Sequence, residues 1–143
     1  MKCTIVIDKD RDEEVIIYLK KPNEISGKIQ NLVGKAIPTL VGYVNENIVN
    51  VDVDDVFCFS VQEGRVYAFT QNEQFLVKER LYMLEQQFGD RFVKINQSCL
   101  VSPEKISRFD TSVGASLRVT LKNGYFDYVS RRQMKVVKKR MGL

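Results

Sequence analysis

Two rhythms of apolar and polar residues run along this chain of 143 residues. Near the start, "KCTIVID" (2–8) and "EEVIIYL" (13–19) are dense in Ile and Val, with a charged turn between them. That is the pattern of two strands. In "PNEISGKIQNLVGKA" (22–36) the rhythm turns helical, with Ile25, Ile29, Leu32 and Val33 recurring on one face. Pro22 and Asn23 make a helix start and Gly34 an end. Pro38 and Gly42 then punctuate "AIPTLVGYV" (36–44), which divides a small β-β-α segment, residues 1–44, from residues 45–143.

Beyond that point the strands become short and closely spaced. Candidates are Ile48–Val53, Val56–Val61, "GRVYAFT" (64–70) and "EQFLVK" (73–78). One helix follows in "KERLYMLEQQFG", where Leu81, Leu84 and Phe88 share a face and Gly89 is placed to cap the end. In "LRVTLKNGYFDYVS", Leu117, Val119 and Leu121 alternate with polar residues. Asn123-Gly124 predicts a type I′ hairpin there, with Tyr125 opening the return strand. The last segment, "SRRQMKVVKKRMGL", predicts a short basic helix. Ser130 is its expected N-cap, and Met134, Val137 and Met141 form its apolar stripe. The fold class is therefore mainly β (α+β), with one inner helix and a short basic C-terminal one. A tandem helix pair of the helix-turn-helix kind is not expected.

Charge sharpens this picture. Residues 91–143 hold 12 Lys+Arg against 3 Asp+Glu, a net +9, while residues 1–90 hold 10 against 15, a net −5. An electrostatically polar molecule of this kind turns its basic side to an anion. Catalytic chemistry is poorly represented. Histidine is absent, which removes Ser-His-Asp and Cys-His arrangements, and no Walker A, GxGxxG or GxSxG pattern occurs. The acidic run Asp52, Asp54, Asp55 lacks two of the three later residues of a calcium loop, since Val56 and Phe57 stand at its fifth and sixth positions and only Glu63, at the twelfth, fits. Cys3, Cys58 and Cys99 are odd in number, scattered, and each in an apolar run, so they read as reduced core thiols. The expectation is a protein that is not an enzyme and needs no cofactor or metal. Neither a signal peptide nor an apolar run of roughly 18 residues is present, so cytoplasmic residence is expected.

One stretch is out of character for a core strand. "RFVKINQSCLVSPEKI" (91–106) sets Lys94, Asn96, Gln97 and Ser98 among Phe92, Val93, Ile95, Leu100 and Val101. Cations, amides and hydroxyls are the groups that bind phosphates and base edges. They recur at Gln62–Arg65 and at Ser130–Lys135.

The ordered set "FVKINQSCLVSPEKI", "LRVTLKNG" and "YVSRRQMKVVKK" resembles a LytTR-type DNA-binding domain. The upstream "DDVFCFSVQEGRVYAFT" and "RLYMLEQQF" fall in the same order, so the resemblance covers roughly residues 45–143. It implies an elongated β module that inserts loops, not a helix, into successive major grooves of double-stranded DNA. Gly64 and Arg65 would occupy a first loop. Lys94, Asn96, Gln97 and Ser98 would form a second, with Asn96 and Gln97 nearest the DNA. Arg132 would read a base from the third, with Arg131, Gln133 and Lys135 beside it. Three departures stand out: Asn96 where many members have His, Ser102 where Asn is usual, and Gln133 where Tyr is usual. Site preference is therefore not transferable.

The resemblance further implies a stand-alone bacterial transcription regulator acting as a homodimer on paired sites. Residues 1–44 are too few for the phospho-receiver domain of many members, so phosphorelay control is not expected. They would serve dimerisation or partner docking, or simply pack on the domain. A small multi-pass membrane protein that restrains the regulator is a further implied partner. The alternative is an interaction module whose basic face meets an acidic protein or an anionic membrane surface.

Overall fold

The computed structural model describes residues 2–33, 38–111 and 116–143. The chain forms two compact units, Met1–Ala36 and Ile37–Leu143.

In the first unit, α1 (Glu24–Val33) begins where Pro22-Asn23 predicts. Asn23 Oδ1 accepts the Ser26 N–H at 2.9 Å, and Ser26 Oγ donates to the Asn23 carbonyl at 2.7 Å, which together satisfy the helix start. Gly34 and the Val33 side chain lie outside the described residues. The two expected strands do not form: among the described residues, 2–8 and 13–19 make no ladder. The turn between them does close, with the Arg11 N–H donating to Asp8 O at 3.4 Å and the Asp10 N–H to Asp8 Oδ1 at 3.0 Å. The register that this turn imposes explains the failure. With Asp8 opposite Arg11, Val6 and Ile5 would meet Glu13 and Glu14, and a lone hairpin is marginal in water even when well matched. Cys3 accordingly is exposed rather than a core thiol.

The second unit contains a seven-stranded antiparallel sheet in the order β2-β1-β5-β4-β3-β7-β6. Its strands are β1 (Thr39–Val44), β2 (Asn47–Asp52), β3 (Cys58–Gln62), β4 (Arg65–Phe69), β5 (Gln74–Val77), β6 (Val93–Asn96) and β7 (Cys99–Val101). A three-stranded sheet, β10-β9-β8, is built from β8 (Ile106–Asp110), β9 (Leu117–Leu121) and β10 (Phe126–Val129). Two helices, α2 (Leu81–Phe88) and α3 (Met134–Met141), complete it.

This unit starts earlier than residue 45. Residues 39–44 are a strand of the sheet, paired with β2 from Thr39↔Asp52 to Val44↔Asn47. Asn45 and Glu46, both at positive φ (48° and 38°), make the tight turn between them. Gly42, read from sequence as punctuation, is there for space: a Cβ on it would lie 2.8 Å from the Phe75 Cβ.

The first half of β3, from Cys58 to Ser60, and all of β7 are buried without alternation because they are covered on both faces. Phe59 and Leu100 point to one core, with Leu84 and Phe88 of α2, Phe92, Ala68 and Phe75. Cys58, Cys99 and Val101 point to the other, with Ile95, Leu117, Val119, Leu121, Val129 and Val137 of α3. The stripe expected on α3 holds, since Val137 is buried and Met134 and Met141 pack against that core. Leu81, Leu84 and Phe88 are likewise buried as expected.

The predicted type I′ turn at Asn123-Gly124 takes another form. Leu121 N–H donates to Tyr125 O at 2.8 Å, leaving a three-residue loop, and Gly124 alone has positive φ, 89°. Asn123 is held by its side chain: Oδ1 accepts the Tyr125 N–H at 3.0 Å and Nδ2 donates to Thr70 O at 3.0 Å, across to the larger sheet. A second cross-link follows, Tyr125 Oη donating to Ser60 Oγ at 2.7 Å. Burial pushes the Tyr125 phenol up from its usual 10.0 to about 12. A raised value in the folded state means that this contribution to stability is complete below about pH 10 and is lost as pH climbs toward 12. A phenolate titration followed by ultraviolet absorbance should contain a step near pH 12 that Tyr125→Phe removes.

Candidate nucleic-acid interface

The three polar stretches come to one edge of the second unit, and the strand register says why. Because β3 and β4 pair from Cys58↔Phe69 to Gln62↔Arg65, their connection emerges at the Gln62 end of the sheet. Glu63 and Gly64 both adopt positive φ (52° and 76°), the two-residue hairpin conformation. Arg65 opens the return strand and is exposed.

Strand β7 pairs with β3 through Ser60↔Cys99, which brings the β6–β7 turn to that same end. The Val61 N–H donates to Ser98 O at 2.8 Å and ties the two tips together. Along β6, Val93 and Ile95 are buried while Lys94 and Asn96 are half-buried, and a bulge between Lys94 and Asn96 sets Asn96 opposite Cys99. Gln97 and Ser98 are exposed at the tip.

The third element arrives beside β6. The Ser130 N–H donates to Ile95 O at 2.8 Å, so the chain leaving β10 runs alongside the second tip. Here sequence and structure differ by a turn of chain. Ser130 does not cap α3; its carbonyl accepts the Gln133 N–H at 3.1 Å, and the helix starts only at Met134. Arg131 and Arg132 therefore stand exposed on a tight turn, with Gln133 half-buried and Lys135 exposed on the first turn of the helix. A turn presents two adjacent cations outward, whereas a helix would set them about 100° apart.

Asn96 has a different place from the one its sequence context implies. Its Oδ1 accepts the Ser98 N–H at 2.8 Å and its Nδ2 donates to Tyr128 O at 2.8 Å. Both ends of the amide are thus engaged in shaping the tip and joining it to β10. Gln97 is the exposed amide of the pair. The two should separate on substitution. Gln97→Ala should leave the denaturation midpoint within about 0.5 kcal/mol of the parent. Asn96→Ala should cost about 1–3 kcal/mol, the penalty for unpairing half-buried polar groups.

Sequence reading overlooked two cations at this edge. Val77 pairs with Val66, so the chain leaving β5 lies next to Arg65. Lys78 and Arg80, both exposed, line a groove there together with Gly64 and Arg65. Lys78 Nζ sits 4.5 Å from the centroid of the Tyr43 ring. Net charge hid them, because residues 1–90 sum to −5 even though these basic residues sit together. The signal was the run "VKER" directly after a strand. Arg140, by contrast, faces elsewhere and donates to Asp90 O at 2.9 Å. Among the acids, Asp54 is paired with Arg91 on the short turn after β2.

The arrangement is a rigid sheet edge with amide, hydroxyl and guanidinium groups at its tips. Such a surface can place hydrogen-bond donors and acceptors against phosphates and base edges at fixed spacing.

Comparison with known proteins agrees with that reading of the fold. The family profile of the LytTr DNA-binding domain matches residues 46–142. Two proteins of Staphylococcus aureus, from strains NCTC 8325 / PS 47 and COL, are each 34% identical over 100% of this chain and 99% of their own. Both are named as uncharacterized HTH-type transcriptional regulators. The solved LytTr DNA-binding domain of a Bacillus cereus response regulator superposes with a TM-score of 0.69 at 16% identity, covering 73% of this chain and 97% of that one. Despite the relatives' name, no two successive helices pack as a helix-turn-helix among the described residues; α2 is fixed by Leu81, Leu84 and Phe88 in the core.

Proposed function

Since this chain belongs to the LytTR family of DNA-binding domains, we propose that it is a bacterial transcription regulator that reads duplex DNA with the three tips of its sheet edge, as a dimer on paired sites. The observation that carries the reading is the convergence of the β3–β4 tip, the β6–β7 tip and the Ser130–Gln133 turn, linked by the 2.8 Å bonds Val61 N–H to Ser98 O and Ser130 N–H to Ile95 O. In this proposal Arg65, Gln97 and Arg132 enter the major groove. Lys94, Ser98, Arg131, Gln133 and Lys135 contact phosphate or neighbouring bases, and Asn96 holds the second tip in shape. Lys78 and Arg80 extend the phosphate contacts beyond the first tip. A small multi-pass membrane protein that restrains the regulator belongs to the same proposal, and co-purification of the full chain with membranes would test it.

The decisive experiment selects binding sites from a random duplex pool, then titrates the selected and a scrambled duplex at several salt concentrations. A sequence-reading regulator should prefer the selected duplex by a factor of about 10³ or more, over a common counterion-release background. Equal affinity for every duplex would refute the proposal and favour a module whose basic face meets an acidic protein or membrane surface.

A further inference from the structure

The first unit leaves an unusual amount of aliphatic surface uncovered. Ile7 is 95% exposed and Tyr18 91%, and Ile5, Val6, Val15 and Ile16 are exposed with them. The turn at Asp8–Arg11 mismatches the two arms, so this surface finds no answer within its own hairpin.

The second arm does have a match, which is itself. Residues 13–21 read "EEVIIYLKK": two carboxylates, five apolar residues, two ammonium groups. Laid antiparallel against a second copy about Ile17, Glu13 meets Lys21, Glu14 meets Lys20, Val15 meets Leu19, and Ile16 meets Tyr18. Opposite charges then face each other at both ends of an apolar centre, the arrangement that stabilises cross-strand pairs. A parallel in-register pairing would set Glu on Glu and Lys on Lys. We propose that residues 13–21 form the dimer contact of this protein, as an antiparallel strand pair with the same segment of a second copy. Such a contact is isologous and closes on itself, so it stops at two chains. It also gives residues 13–21 the strand partner that residues 2–8 do not supply, and the exposed Ile25 and Leu32 of α1 offer further apolar surface. The proposal deepens the dimer reading above and rests on it for its use on paired sites, but the pairing is tested without DNA.

Sedimentation of the full chain at micromolar concentration should give a dimer. Glu13→Lys with Glu14→Lys should give a monomer, and so should Lys20→Glu with Lys21→Glu. Mixing those two variants should restore a dimer, and combining all four changes in one chain should restore it again. A wild-type monomer, a dimeric double variant, or a mixture that stays monomeric would each overturn the proposal. Register has its own readout. With Cys3→Ser removing the exposed thiol, Ile17→Cys should cross-link to itself across the two-fold axis, since directly opposed Cβ atoms lie about 4.5–5.5 Å apart. Val15→Cys should cross-link only when mixed with Leu19→Cys, and self-linking of Val15→Cys would overturn the antiparallel register. Failure of the DNA reading looks different: the charge-swap pattern would persist while no duplex is preferred.

Discussion

Ile95→Ala should cost about 2–5 kcal/mol of stability, the range for removing a buried aliphatic side chain and leaving a cavity. Ile95 is fully buried, in the core shared by Cys99, Val129 and Val137. Few single changes would reach further, because the residue holds two elements of the proposed reading edge at once. Its side chain anchors the strand that carries Lys94 and Asn96, and its carbonyl receives the Ser130 N–H that positions the Arg131–Arg132 turn. For a domain with a total stability of about 5–15 kcal/mol, such a loss is a large fraction. Denaturant unfolding should show the midpoint fall with little change in slope. Ile95→Val should cost only about 0.5–1.5 kcal/mol, because most of the volume is kept. A cost for Ile95→Ala below that of Ile95→Val would remove this residue as the anchor of the site.

Arg132→Ala should act on recognition instead. The side chain stands exposed on a turn, so its loss should leave folding within about 0.5 kcal/mol. Discrimination between the selected and the scrambled duplex should fall by about 1–3 kcal/mol, as expected for a lost bidentate base contact. At 1.4 kcal/mol per decade that is about a 5- to 150-fold loss. Lys138→Ala, on the outer face of α3, provides the contrast. It should weaken both duplexes alike and reduce the salt slope by about 1, or do nothing. If Lys138→Ala alters site choice while Arg132→Ala lowers affinity uniformly, the roles are reversed and the reading edge has been misplaced.

How far the site was legible from sequence depends on what each residue does. Lys94, Gln97 and Arg132 stood out because a polar side chain within an apolar strand, or just after one, has to point away from the core. Asn96 looked like one of them, and its hydrogen bonds to Ser98 N–H and Tyr128 O could not be foreseen, since Tyr128 is 32 positions away. Lys78 and Arg80 escaped notice for a similar reason: their proximity to Arg65 comes from the pairing of β4 with β5. Ser130 followed the local preference for helix caps, yet the bond from its N–H to Ile95 O fixed it at the end of β10 and moved the helix start to Met134.

Local chemistry by itself determined strands β2 to β5, the buried faces of α2 and α3, the β9–β10 hairpin around Asn123-Gly124, and the basic character of residues 91–143. Each depends on period, turn residues or charge, which a few neighbouring positions carry. Tertiary structure alone decided that Thr39–Val44 is a strand and that three distant tips share one edge. Those outcomes depend on which strand lies beside which, and a ladder gains its stability from partners that the sequence names only once the chain has folded back on itself.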